Sequence, residues 1–175
     1  MTNPMESELI RLRALEPEDV NILYKWENDT EIWKVSNTVA PFSKHMLRQF
    51  IENQQRDIYE TRQLRLIIES KADGAIDLFD LDPYNCRAGV GILIYDQRDQ
   101  RQGYASHAVS IVIRYGFQVL NLNQLYCDIP SQNIQSLALF KSKGFSVIGL
   151  KKEWTKTTSD WQDEYMLQLL NPKKW

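Results

Sequence analysis

Apolar and polar positions alternate at the start of the chain. Ile10, Leu12 and Ala14 are separated by Arg11 and Arg13, the period-two pattern of a strand. Pro17 then suits the first position of a helix, with Glu18 and Asp19 at the positive end of its dipole. Val20, Leu23, Tyr24 and Glu27 continue at helical spacing, while residues 28–42, with Asn28, Asn37 and Pro41, read as irregular. Ser43 is placed to cap a second helix carrying Leu47, Phe50, Ile51 and Ile58. The middle of the chain is β: Leu64, Leu66 and Ile68 alternate, Asp73-Gly74 signals a hairpin, and residues 75–81 and 87–95 read as further strands. From Gly103 the period changes. Ala105, Ala108, Val109, Val112, Ile113, Gly116, Phe117 and Leu120 recur at i, i+3, i+4 and i+7, the strongest helical signal in the chain. A strand at 125–129, a helix at 133–143 stopped by Gly144, and strands at 145–153 and 163–170 complete the pattern. These elements predict an α/β (α+β) domain with a mixed sheet of about six to seven strands.

Composition narrows the class. The 175 residues suffice for one domain, taken as 1–175, with a real core. A net charge of −2, without clustered Lys and Arg, argues against a nucleic-acid partner. No apolar run approaches the roughly 18 residues of a membrane span, and the N-terminus lacks an apolar signal region. Cys86 and Cys127 are too few and too far apart for a disulfide scaffold, which fits a reducing, cytoplasmic setting. His45 and His107 are isolated, and no Cys/His spacing predicts a metal.

Candidate chemistry concentrates in Gly91-Ile-Leu-Ile-Tyr-Asp-Gln-Arg-Asp-Gln-Arg-Gln-Gly-Tyr-Ala-Ser106, which runs strand, polar loop, long helix. The first turn of a helix exposes N–H groups that lack intrahelical partners, and the dipole favours an anion there. Gly103 lets the backbone approach a phosphate, Ala105 keeps the next position small, and Arg98 and Arg101 add positive charge. The segment is neither a P-loop nor a dinucleotide fingerprint, because the spacing of both is missing.

Gln100-Arg-Gln-Gly-Tyr-Ala105 resembles the Q/R-x-x-G-x-G/A signature of the GNAT N-acetyltransferase superfamily. Asn133-Ile-Gln-Ser136-Leu-Ala-Leu-Phe-Lys-Ser-Lys-Gly144-Phe145 resembles its second conserved helix, and the strand between the two blocks agrees. The likeness spans residues 9–170. It is closest to the branch holding spermidine and ribosomal-protein N-terminal acetyltransferases. The resemblance implies a mostly antiparallel central sheet flanked by helices, with a splay between the strands at 88–95 and 125–130. It also implies that acetyl-CoA is the co-substrate, with no metal. Leu93, Ile94 and Tyr95 would hold the pantetheine arm. Arg98, Gln100, Arg101, Gln102, Gly103, Tyr104, Ala105 and Ser106 would hold the pyrophosphate. Asn133, Ser136 and Phe140 would line the far side. Asn133 also reads as a plain helix cap and Ser136 as a surface serine.

The chain departs from the family at two positions. Phe140 stands where many relatives carry a tyrosine that protonates the departing thiolate, and Phe140 has no O–H. Gly89 stands where many carry a glutamate base. Positioning alone could then carry the reaction. Alternatively Asp128, named as the catalytic candidate, or Asp77, Asp80 or Tyr126 could substitute, although a solvated strand carboxylate reads as well for Asp128. The other alternative is a non-catalytic acyl-CoA-binding or sensing module. The acceptor, a peptide or small-molecule amine, would enter between residues 26–45 and 152–163, against Trp26, Glu31, Trp33 and Trp154, with Asp77 behind them. Trp26 and Trp33 read equally well as core. The segment from Asn37 to Phe42 lacks the acids of the spermidine enzymes, which lowers a polyamine against a peptide N-terminus or another small amine. A homodimer fits the habits of relatives, although no residue in the sequence marks an interface.

Overall fold

The computed structural model describes residues 3–70, 73–96 and 101–173. Its strands are β1 (Arg11–Ala14), β2 (Leu64–Glu69), β3 (Gly74–Asp82), β4 (Arg87–Ile94), β5 (Gln124–Pro130), β6 (Ser146–Lys156) and β7 (Trp161–Leu170). Its helices are α1 (Val20–Glu27), α2 (Thr30–Ser36), α3 (Lys44–Asn53), α4 (Ile58–Thr61), α5 (Tyr104–Gln118) and α6 (Ile134–Ser142), with a 3-10 turn at Pro17–Asp19 leading into α1. The seven strands form one sheet in the order β1-β2-β3-β4-β5-β7-β6. Every neighbouring pair is antiparallel except β4 with β5. The mixed sheet expected from the pattern is therefore present, with the higher strand count, and it is mostly antiparallel as the resemblance implies.

Period-two alternation builds two cores on opposite faces of the sheet. Leu66 and Ile68 of β2, Ile76 and Leu78 of β3, and Ala88 and Val90 of β4 join Ala108, Val109, Ile111 and Val112 of α5. The intervening Ile67 and Ala75, paired in register, join Leu23 and Trp26 of α1 and Leu47 and Ile51 of α3. Each fully buried Ile, Leu or Val contributes about 1.5–3 kcal/mol, so both helical layers are held mainly by these rows. Trp26 is only 2% exposed, which corrects its assignment to the acceptor wall. Its indole fills the core between α1 and α3.

Two local expectations change. Residues 28–42 are not wholly irregular: Asp29 accepts the Glu31 amide at 2.9 Å and starts α2, which ends at Asn37 in the left-handed region (φ 57°). The second helix is capped by Ser43, which accepts the Met46 amide at 3.1 Å, but it stops at Asn53, and Ile58 opens the separate α4. α2 escaped the periodicity because a one-sided, seven-residue helix leaves little apolar stripe to detect.

Candidate functional site

The ladder between β4 and β5 is short. Arg87 pairs with Gln124, Ala88 with Leu125 and Gly89 with Tyr126, and the pairing then stops. β4 keeps its pairing to β3 as far as Ile94, and β5 keeps its pairing to β7 as far as Pro130. Each strand is thus held by its outer neighbour while the two part from one another, which is the splay at 88–95 and 125–130.

A cleft of about 1860 Å³ opens in that gap. This exceeds the ~300–1,000 Å³ of an ordinary small-molecule pocket and leaves room for an extended ligand plus a second one. One side is formed by Ile92 to Asp96 of β4 and its extension, the start of α5, and one face of α6. The other is formed by α2 and the β6–β7 hairpin.

The start of α5 is built for an anion. Gly103 precedes the helix at φ +88° and, as glycine, has no side chain to cap the turn. A Cβ on Gly103 would stand 3.6 Å from Leu9, so there is room for it, and the left-handed backbone is what calls for glycine. The first intrahelical bond is His107 N–H to the Gly103 carbonyl at 3.0 Å. The N–H groups of the turn before it point out of the helix end. Gly103, Ala105, Ser106 and the exposed Arg101 line the cleft. The Gln102 side chain is exposed and the Tyr104 ring packs against the main core, so neither side chain lines the cleft, and what these two residues offer an anion is their backbone N–H groups. Arg98 and Gln100 lie outside the described residues.

Leu93, Ile94 and Tyr95 line the cleft along β4. Asn133 and Ser136 line it from α6, with Leu139 one further turn along. Asn133 is also the helix cap, accepting the Ser136 amide at 3.1 Å. Leu139 was missed by motif reading, although its i+3 spacing from Ser136 places it on the same helical stripe. Phe140 is a correction. It is 2% exposed and meets Phe145 edge-on at 5.1 Å, so it is core and no part of the cleft. Its neighbour Leu139 faces the cleft because successive helical residues turn by about 100°.

Gly89 has a structural reason to be glycine. A Cβ there would fall 2.3 Å from Cε2 of Phe79. The Phe79 ring covers the space a glutamate would use and meets Tyr126 edge-on at 6.0 Å. None of the three carboxylates offered as substitutes, Asp128, Asp77 and Asp80, lines the cleft. Asp128 accepts a bond from the Lys151 ammonium at 2.8 Å, and Lys151 also reaches Glu164 at 2.6 Å and lies 4.8 Å over the Trp154 ring. Burial disfavours the Lys151 charge, and the hydrogen bonds it donates to Asp128 and Glu164, with their negative charges, outweigh that and raise its pKa. Asp128 is exposed, paired with Lys151 and off the cleft wall, which suits the solvated strand carboxylate better than a base. Asp77 binds the Arg65 guanidinium through Nε and Nη2, both at 2.8 Å, while Arg65 Nη1 reaches Glu27 at 2.6 Å. Burial works against the Arg65 charge, and Asp77 and Glu27 more than offset it. Asp77 therefore ties β2 and β3 to α1, a correction to its acceptor role. Burial, and then Asp80 and Asp128, raise the Tyr126 phenol above its ordinary pKa.

Glu31, Trp33 and Trp154 do line the second side of the cleft, joined by Asp29, Asn37 to Val39, and Thr155 to Thr158. Trp33 is oriented by its Nε1, which donates to the Glu27 carbonyl at 2.6 Å. Glu31 pairs with Lys34 at 2.7 Å in an exposed contact. Such surface pairs exchange readily with other cations.

The acetyltransferase (GNAT) domain family matches residues 10–146. This chain belongs to that family. It is an acetyltransferase, like its N-acetyltransferase relatives. The uncharacterized N-acetyltransferase p20 of Bacillus licheniformis is 29% identical over 171 residues, covering 94% of each chain. The spermidine N(1)-acetyltransferase of Escherichia coli K12 is 26% identical over 145 residues, covering 80% of this chain and 74% of that one. The crystal structure of spermidine N-acetyltransferase from Vibrio cholerae in complex with CoA and spermine superposes with a TM-score of 0.83. It covers 94% of this chain and 96% of that one at 22% identity, a likeness of fold. Among the described residues of the GNAT chain, no helix is long and apolar enough to cross a membrane. Among the same residues, no group of three or more His, Cys, Asp or Glu is placed to hold a metal ion.

Proposed function

We propose that this acetyltransferase moves the acetyl group of acetyl-CoA to a primary amine by direct attack of the neutral amine on the thioester carbon. The C–N bond forms, the C–S bond breaks, and the amine proton is released as the thiolate departs. The domain acts as one unit over residues 1–175. The observation that carries the reading is the gap between β4 and β5 opening onto an uncapped helix start at Gly103. A diphosphate fits the outward N–H groups of that turn, helped by Arg101. The pantetheine arm lies along β4 at residues 93–95, and Asn133, Ser136 and Leu139 bound its other side.

With Phe79 over Gly89 and Phe140 in the core, the positions of the usual base and acid hold apolar rings. The chemical step then rests on positioning and on backbone donors at the carbonyl oxygen. General acid–base help is worth about 10²–10⁴-fold, so its loss slows the reaction without abolishing it. On the acceptor side, Trp33 and Trp154 offer ring faces, and Asp29 and Glu31 offer negative charge, to a cationic amine. The spermidine enzymes among the relatives make a polyamine one test substrate. The neutral wall at Asn37, Thr38 and Val39 favours a shorter amine or a peptide N-terminus. Unpaired Cys86 and Cys127 fit a reducing cytoplasm. Val147, Ile148 and Leu150 are exposed on the edge strand β6, a surface suited to a second copy of the chain.

Two measurements test this. Acetyl-CoA at about 100 Kd adds about 2.7 kcal/mol to the native state by mass action, read as a rise in Tm. Thiol release against spermidine, a lysine, an amino sugar and a short peptide with a free N-terminus identifies the acceptor. Thioester cleavage that never depends on added amine overturns transfer.

A further inference from the structure

Asp29 stands where the two sides of the cleft meet. Its Oδ1 accepts the Glu31 amide at 2.9 Å and caps α2. Its Oδ2 accepts the Tyr95 phenol, also at 2.9 Å, across 66 residues of chain. Tyr95 directly follows β4, and its amide donates to the Asp73 carbonyl at 2.9 Å. Its ring stacks on the core Trp26 at a centroid distance of 6.2 Å and lies 4.6 Å beneath the Lys25 ammonium. Backbone, ring face and hydroxyl are therefore each held, and the phenol has a defined direction. Both Asp29 and Tyr95 line the cleft.

Among the described residues, α2 is held by few contacts. It has seven residues, well under the ~12–15 that an isolated helix needs, and its described side chains are exposed or half-buried. Among the described residues, its anchors to the body are the Trp33 bond to Glu27, the Asp29 amide bond to the Trp26 carbonyl at 3.2 Å, and the bond that the capping Asp29 carboxylate accepts from Tyr95. α2 supplies Glu31 and Trp33 to the acceptor side, while Tyr95 ends the strand edge assigned to the coenzyme.

We propose that Tyr95 and Asp29 are a positioning pair that couples the two substrates. A ligand lying along β4 orders the strand end at Tyr95, the phenol passes that order to Asp29, and α2 is set for the acceptor. This rests on the acetyltransferase reading above. Coupling of this kind is reciprocal, so bound acceptor tightens acetyl-CoA by the same factor. It acts on binding and not on bond-making, and so moves the acceptor KM more than kcat.

Tyr95→Phe keeps the ring on Trp26 and removes only the O–H. Asp29→Ser keeps a capping oxygen for α2 but is too short to reach the phenol. Amide exchange over residues 30–36, with and without acetyl-CoA, reads the coupling before any acceptor is known. Acetyl-CoA is expected to slow exchange there in the wild type and to leave it unchanged in Tyr95→Phe. With the acceptor found in the amine panel, each single variant is expected to raise the acceptor KM about fivefold, and the double variant no further. A wild type that binds acetyl-CoA without protecting residues 30–36 overturns the coupling alone, as do strictly additive variants. A wild type that binds no acetyl-CoA overturns the functional reading and the coupling with it.

Discussion

The two sides of the cleft are made of different materials. The coenzyme side is backbone: a diverging strand edge, a left-handed glycine and the open end of a fifteen-residue helix. The side proposed for the acceptor is side chains, brought together from α2 with its flanks and a hairpin more than a hundred residues later. The first side owes its shape to local conformation, and the second to long-range bonds such as Trp33 to Glu27 and Tyr95 to Asp29. Backbone sites tolerate sequence drift because they need only small residues and a helix start. Side-chain sites change with each substitution, which is why the coenzyme is easier to name than the acceptor.

The sharpest attack on this contrast is Gly103→Glu. It adds a left-handed penalty of about 1–2 kcal/mol to a negative charge beside the diphosphate, so acetyl-CoA affinity should fall more than about 50-fold by calorimetry. Unchanged affinity would remove the backbone cradle. Next in size, Gly89→Ala puts a methyl into the Phe79 ring and should lower stability by about 1–3 kcal/mol in denaturant unfolding. Phe79→Ala in the same chain should recover part of that loss, and no recovery would mean the ring is not what excludes a side chain there.

Phe140→Tyr discriminates core from cleft. A hydroxyl placed among Phe145 and its neighbours lacks a partner and should cost about 1–3 kcal/mol of stability without raising turnover. A faster enzyme would return residue 140 to the chemistry. Smaller still is the response to acid at α2. The Glu31 amide and then the Tyr95 phenol lower the pKa of Asp29. A carboxyl depressed in the folded state supports the fold above its ordinary value of about 4, and that support is lost as pH falls towards the lower folded value. Exchange protection at residues 30–36 should accordingly fade below about pH 4, earlier than that of α5. Least disruptive is thiol labelling. Burial, and then Asp128, push the Cys127 thiol up to about 12, so an alkylating reagent near neutral pH should modify the half-buried Cys86 and spare Cys127 until the chain unfolds. Equal labelling in the native protein would show that β5 opens readily.

Much of the fold was legible because burial writes a period into the chain. Two-residue alternation marked β1 and β2, apolar runs between turn residues marked the other five strands, and the long stripe of α5 marked the helix at the cleft. The motif Gln100-Arg-Gln-Gly-Tyr-Ala105 marked the turn into α5, because a left-handed glycine at a helix start is a local demand. α2 was hidden, since its stability comes from a cap and one indole bond and not from a stripe.

Side-chain roles were the part that only tertiary structure decided. Trp26 and Trp33 look alike in the chain, yet one is sealed between α1 and α3 and the other borders the cleft. Asp128 and Asp77 look available until Lys151 of β6 and Arg65, the cross-strand neighbour on β2, are brought against them. Gly89 looks like a lost glutamate, and only the packed structure shows that Phe79 has taken its space. Backbone conformation follows from a few adjacent residues, so sequence determines it. A side chain's availability depends on which charges and rings lie within a few ångströms, and that is set by the whole fold.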